Sequence, residues 1–298
     1  MLDYHIHPDF SIDATGSVDE YCRKALELGL REICFTPHYE TDPEREHLDG
    51  LVRVDGKLQP VTGGWLDVFF NTVEKAKENY GDRIGVKAGI EVDHIPERCD
   101  HVRRVISGYP FDFVLGAVHS LDHIAISSSS ECGNFFCSCD VDTMFDKYFD
   151  LLYQAVDSGL YDAMAHFDIY RRFGYKYYAR EDLEGLPSKA HRVIKKMADR
   201  KMAMEINTSG LRCGVKSIFP GPEVLRYAVA CGVTEFTVGS DAHSINDLGR
   251  GIFRALGVLD KLDIENITVY TKRTKEKIPM SRGRVCQKPP YDKVFKTP

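Results

Sequence analysis

No apolar run in this chain approaches the roughly 20 residues that a bilayer-crossing helix needs, so no helical membrane span is expected. Nor is there a surplus of basic charge. Lysine and arginine number 39 against 45 acids, a net of −6, which weighs against extended nucleic acid as a partner while leaving room for a local basic groove. The first residues lack the pattern of a secretion signal and read at once as a strand, which fits a cytoplasmic protein. The nine cysteines are an odd number, and Cys22, Cys34 and Cys231 sit within apolar stretches; free, reduced thiols are expected. No linker composition divides the chain. One domain over 1–298 is expected, with a core to about residue 265 and a Lys-, Arg- and Pro-rich extension over 266–298.

What the chain does have is a recurrence. Short apolar runs end, one after another, on a histidine or an acid: Leu2 to His7, Ile33 to His38, Ala88 to Glu91, Phe113 to His119, Ala163 to His166 and Phe236 to His243. Runs of this length, bounded by Gly, Pro or polar residues, have the pattern of buried parallel strands. Helical signals lie between them. Ser17 and Glu20 make a capping box with Gly29 as the stop, and helical spacing recurs over 65–79, 142–159, 189–201 and 222–232. A further strand-like run, Met202 to Asn207, brings the number of βα units to seven, one fewer than in a standard TIM barrel. The fold class is therefore α/β with a closed parallel sheet. Two long insertions, 41–64 and 121–140, interrupt it and are expected to be irregular loops of functional or mobile character.

In such a barrel the C-terminal strand ends share one mouth, so the histidines and acids there would meet. His5 and His7, two apart on a strand, face one side and can reach one centre. Asp241-Ala242-His243 repeats the spacing on the last strand, which neighbours the first once the barrel closes. Glu91 can bridge two divalent ions, one oxygen to each. His119 and His166 end their own runs; each alone could be a satisfied core histidine, but coincidence at every strand end is a poor account. His47, His101 and His191 lie in loop or helical sequence and are expected to face solvent, while His94 and His123 follow candidate ligands and could line the site.

These residues carry a resemblance. Asp3-Tyr4-His5-Ile6-His7, Thr36-Pro37-His38, Gly89-Ile90-Glu91, Gly116-Ala117-Val118-His119, Ala165-His166-Phe167-Asp168 and Gly239-Ser240-Asp241-Ala242-His243 resemble the PHP (polymerase and histidinol phosphatase) metallohydrolases over nearly the whole barrel. The flanks, Phe111 to His119 and Ile206 to Arg212, are similar to the histidinol-phosphate phosphatase branch, whereas 8–13 and 127–139 depart from it. The resemblance implies a distorted (βα)7 TIM-like barrel and two or three divalent ions (zinc, manganese or iron). It implies His5, His7, Glu91 and Asp241 on one ion, Glu91, His119 and His166 on a second, and Asp13, His38 and His243 on a third. An oxygen ligand such as Asp13 favours manganese or iron over zinc at that centre.

The expected chemistry is hydrolysis of a small phosphate monoester by a metal-activated hydroxide, with histidinol phosphate as the favoured substrate. A PHP phosphoesterase acting on nucleotides or nucleic-acid ends is the alternative; an amidohydrolase-type barrel or a non-catalytic metal-binding module ranks lower. Arg212 and Arg172 are expected to meet the phosphate, with Arg171 facing outward. Asp168 is expected to orient His166 or to protonate the leaving group. Tyr39, Glu40, Tyr175, Tyr177 and Tyr178 could frame the substrate, and Cys132, Cys137 and Cys139 raise a small structural metal site that lacks an evident fourth ligand.

Overall fold

Alternating buried runs and amphipathic stretches fold into a ring of parallel strands with a helix after each one. The computed structural model describes residues 1–280. Its strands are β1 (Leu2–Ile6), β2 (Glu32–Phe35), β3 (Gly85–Asp93), β4 (Phe113–Ala117), β5 (Ala163–Met164), β6 (Ala203–Asn207) and β7 (Phe236–Gly239), paired in that order and all parallel. The helices are α1 (Val18–Leu28), α2 (Trp65–Tyr80), α3 (Cys99–Gly108), α4 (Val141–Ser158), α5 (Ala190–Arg200), α6 (Pro222–Ala230) and α7 (Ile252–Asp260).

Seven strands suffice because β7 returns to β1. Ile6 bridges Ala242 in parallel, His7 N donates to Ala242 O at 2.9 Å, and Asp241 N donates to His5 O at 2.8 Å. Asp3 fastens the seam from within. Its buried carboxylate accepts from Ser240 N at 2.8 Å and from Gly249 N at 2.9 Å.

The helices follow their local signals. Ser17 and Glu20 form the capping box of α1, and Gly29 ends it in the left-handed conformation at φ 68°, which costs glycine little. α2 buries Leu66, Phe69, Val73 and Ala76 as one stripe. α3 and α7 were not expected. In α3 only Val102 and Ile106 are buried, too few apolar positions for the periodicity to stand out.

Both insertions are more regular than expected. The first holds a turn at Pro43–Arg45 and the hairpin Leu51–Val54/Lys57–Pro60; the second holds the pair Ser120–Leu121/Ile124–Ala125 and a short helix, Cys132–Phe136. They dock on one another. The buried Arg45 guanidinium reaches Glu131 Oε2 at 2.7 Å, Asp49 Oδ2 at 2.8 Å from Nε, and His123 O at 3.0 Å.

At the N-terminal end of the barrel lies the antiparallel hairpin Asn266–Thr271/Thr274–Pro279. Tyr270 N donates to Tyr4 OH at 3.1 Å, its ring lies 4.9 Å from that of Phe113, and its OH donates to Asp162 O at 3.1 Å. The described part of the segment expected as a peripheral extension is thus packed onto the barrel floor; 281–298 lie outside the described residues. Tyr270→Ala should lower stability by about 3–5 kcal/mol, the range for truncating a buried aromatic, read as an earlier denaturant midpoint with native secondary structure retained.

Candidate metal centre

Parallel strands deliver their C-terminal residues to one end, and here that end is lined with imidazoles. His5 and His7 come from β1 and just beyond it, His119 follows β4, His166 follows β5, and Asp241 and His243 follow β7. His38 and Tyr39 form a two-residue strand pairing with β3, which sets His38 in register with Glu91. His166 and Asp241 have φ of 23° and 55°, a region that costs a non-glycine residue about 1–3 kcal/mol and tends to occur at functional sites.

Three pairs of imidazoles face each other nitrogen to nitrogen. His5 Nε2 lies 3.0 Å from His7 Nε2, His119 Nε2 lies 3.3 Å from His166 Nε2, and His38 Nε2 lies 3.3 Å from His243 Nε2. Glu91 sits among them. Its Oε1 is 3.0 Å from His166 Nε2, 3.3 Å from His5 Nε2 and 3.5 Å from His119 Nε2, while Oε2 is 3.0 Å from His38 Nδ1 and 3.5 Å from His7 Nε2. Asp241 Oδ1 lies 3.5 Å from His7 Nε2 and 3.7 Å from His5 Nε2. Asp13, at the half-exposed rim, is 3.2 Å from His243 Nε2 and 3.8 Å from His38 Nε2.

The donor set fits divalent ions. Two lone pairs that face each other repel unless a proton or a cation lies between them. Two nitrogens each about 2.05 Å from one ion, at angles of about 90–110°, sit roughly 2.9–3.4 Å apart, which spans all three pairs. The buried Glu91 Oε2 has no hydrogen-bond partner among the described residues, as a bridging oxygen requires.

The charges in the cluster depend on one another: against burial, neighbouring carboxylates raise His5, His38 and His119 well above the ordinary histidine value. Burial alone would push the Glu91 carboxyl up, but the charges of His5 and His119 outweigh it and hold Glu91 well below the usual carboxylate range. Asp241 is depressed in the same way, against burial, by His5, His7 and His243. His7 is driven well below its ordinary value by burial and by His38 and His243 beside it, which keeps it a neutral donor.

Behind the cluster stands Glu205, which the sequence reading passed over. Its Oε1 accepts from His5 Nδ1 at 2.6 Å, which leaves the His5 Nε2 lone pair facing inward; its Oε2 accepts from His166 N at 2.9 Å and Asn207 Nδ2 at 3.0 Å. The available signal was an acid in the middle of the buried run Met-Ala-Met-Glu-Ile-Asn. Gly239 gives this contact its room, since a Cβ there would come within 2.3 Å of Glu205 Oε1 and 2.4 Å of His5 Cβ.

Other expectations are corrected. Arg171 does not face outward: it is buried, with Nη1 2.9 Å from Asp168 Oδ2. That oxygen also accepts from Gly221 N at 2.8 Å, and His166 Nδ1 has no partner, so Asp168 does not orient His166. The other Asp168 oxygen, Oδ1, is buried without a partner among the described residues. Arg212 donates from Nη2 to Ser240 O at 2.7 Å and Asp241 O at 2.9 Å, which leaves Nη1 buried without a partner. Arg172 and Arg212 line a cleft of about 150 Å³ with Ser209, Asp241 and His243. Tyr39 turns away to bond the partly exposed His101 at 2.9 Å. His94 is buried against Tyr161, and His123 pairs with Asp42 at 2.7 Å. Cys132, Cys137 and Cys139 form no metal-holding group among the described residues; Cys139 Sγ instead lies 3.6 Å from Tyr178 OH.

A model of the PHP domain matches residues 3–209. The "Probable histidinol-phosphatase" of Deinococcus radiodurans is 28% identical over 249 residues, spanning 84% of this chain and 88% of that protein. The "Histidinol-phosphatase" of Lactococcus lactis is 22% identical over 273 residues, spanning 91% and 94%. In structure the chain is similar to the crystal structure of a histidinol phosphate phosphatase from Lactococcus lactis complexed with zinc, L-histidinol and phosphate. The TM-score is 0.75 at 21% identity, over 93% of this chain and 98% of that one, which shows a common fold.

Glu205→Gln leaves one acceptor oxygen where three donors converge. It should weaken metal binding about 10–100-fold in a chelator competition, with the fold retained.

Proposed function

The chain belongs to the PHP domain family, and on that premise we propose that it is a metal-dependent phosphomonoesterase whose substrate is histidinol phosphate. The observation that carries the reading is the three facing imidazole pairs gathered around one buried carboxylate. His5, His7, Glu91 and Asp241 would hold one ion, Glu91, His119 and His166 a second, and Asp13, His38 and His243 a third. Divalent ions there supply Lewis acidity, lowering the pKa of water and offsetting charge on phosphoryl oxygens. The substrate follows from the relatives of that name and from the histidinol and phosphate in the Lactococcus lactis structure.

The chain's own part is to hold the substrate against that centre. Arg172 makes no ion pair among the described residues, and Arg212 keeps Nη1 free, so the cleft beside Asp241 and His243 offers unspent guanidinium donors for a phosphate dianion. The cleft, of about 150 Å³, has room for a small polar group. An amidohydrolase-type barrel would close on an eighth strand, whereas this ring closes at seven through Ile6 and Ala242. The eight described cysteines are all unpaired, which accords with a reducing, cytoplasmic setting, and no helix among the described residues is long and apolar enough to cross a membrane.

A screen of histidinol phosphate, nucleoside monophosphates, phosphodiesters and amides against zinc-, manganese- and iron-loaded protein tests the reading. Histidinol phosphate should be turned over best, and chelation should abolish turnover. Amide hydrolysis without phosphatase activity would sink it. Arg172→Ala should raise KM for the monoester about 10–100-fold, the scale of a lost charged hydrogen bond, with metal content unchanged.

A further inference from the structure

The segment that follows His38 runs extended between the proposed metal centre and the docked insertions, and it is held along its length. His38 N donates to Ser11 Oγ at 3.0 Å, Arg98 Nε donates to Thr41 O at 3.0 Å, and Asp42 Oδ1 accepts from Glu44 N at 3.0 Å. Alternate residues of an extended segment point the same way. Here that places Glu40 between two histidines: its Oε1 lies 2.9 Å from His119 Nδ1 and 3.4 Å from His38 Nδ1. Asp42, two residues further, is tied to His123 of the other insertion at 2.7 Å. The Glu40 side chain is largely buried, its position set by a strand pairing on one side and a clasp between insertions on the other.

A neutral imidazole has one ring N–H to place. A carboxylate can only accept, so Glu40 draws that hydrogen to Nδ1 of His119 and leaves Nε2 with its lone pair aimed at His166 and Glu91. His38 Nδ1 lies 3.0 Å from Glu91 Oε2 and 3.4 Å from Glu40 Oε1 without a hydrogen bond to either, and its Nε2 faces His243. These two histidines belong to different ions in the assignment above, His119 to the second and His38 to the third. Glu205 contacts the ring of His5, a ligand of the first. We propose that Glu40 is a positioning residue that orients His119, so that its loss weakens the second ion selectively while the first, whose His5 is held by Glu205, stays tight. The inference rests on the reading of these histidines as metal ligands.

The test uses full-length Glu40→Ala and Glu40→Gln beside wild type, with stepwise zinc affinities from competing chromophoric chelators and ring-nitrogen tautomers from long-range ¹H–¹⁵N spectra of the zinc-loaded protein. For Glu40→Ala, one tight equivalent should persist while one other equivalent weakens by about 10–100-fold. Glu40→Gln, which keeps an acceptor oxygen, should lose less, and wild-type His119 should carry its hydrogen on Nδ1. Unchanged affinities, a uniform loss of every equivalent, or a hydrogen on His119 Nε2 would each overturn the proposal. If Glu40→Ala loses its native circular dichroism, the affinities of Glu40→Gln decide on the same criteria. Wild-type protein that binds no metal would remove the proposed function as well; wild-type binding with unaltered variants would remove only the role of Glu40.

Discussion

One buried carboxylate surrounded by imidazoles sets the terms for the rest of this molecule. Glu91 contacts five histidine rings brought in from strands far apart in the chain, and none of these groups is easily kept in an apolar interior alone. Their mutual attraction, and the cations their geometry suits, offset that cost. Convergence in turn requires a closed ring. The seam from Ile6 to Ala242 brings His5 and His7 beside Asp241 and His243, and the buried Asp3 carboxylate ties the two strands together.

The two ends of the barrel divide the work. At the N-terminal end, the hairpin carrying Tyr270 packs on Tyr4 and Phe113 and serves stability. At the C-terminal end, strain at His166 and Asp241, a glycine at 239 and a layer of carboxylates behind the histidines serve geometry. This separation is the usual one for parallel barrels, in which strand ends carry the chemistry and the opposite face carries stability. The insertions belong with the chemical end. Arg45 and Asp42 join them to each other, and through Glu40 the first of them reaches His119 and His38.

Much of this was legible in the residues. The buried strands showed as apolar runs, and α1, α2, α4, α5 and α6 showed through caps and spacing, because those signals are local. α3 and α7 were not legible: each is short, and α3 has only two buried apolar residues. The histidines and acids at the strand ends could be picked out by position, and the structure brings His5, His7, His38, Glu91, His119, His166, Asp241 and His243 into one cluster, with Asp13 at its rim. The arginines were harder. Arg171 and Arg172 are adjacent, and only the approach of Asp168 and Phe219 decides that the first is buried.

Residue types and their periodicity therefore determined by themselves that this chain forms a parallel α/β ring with metal-binding side chains at one mouth, since strand patterns and ligand chemistry are properties of a few neighbouring residues. The folded chain alone decided which carboxylate stands behind which histidine, as with Glu205 behind His5 and Glu40 behind His119. It also decided that Asp168 serves Arg171 and Gly221, and that the two insertions clasp each other. The reason is physical. A hydrogen bond between residues 79 or 200 positions apart depends on where the strands place them, and no local pattern records that distance.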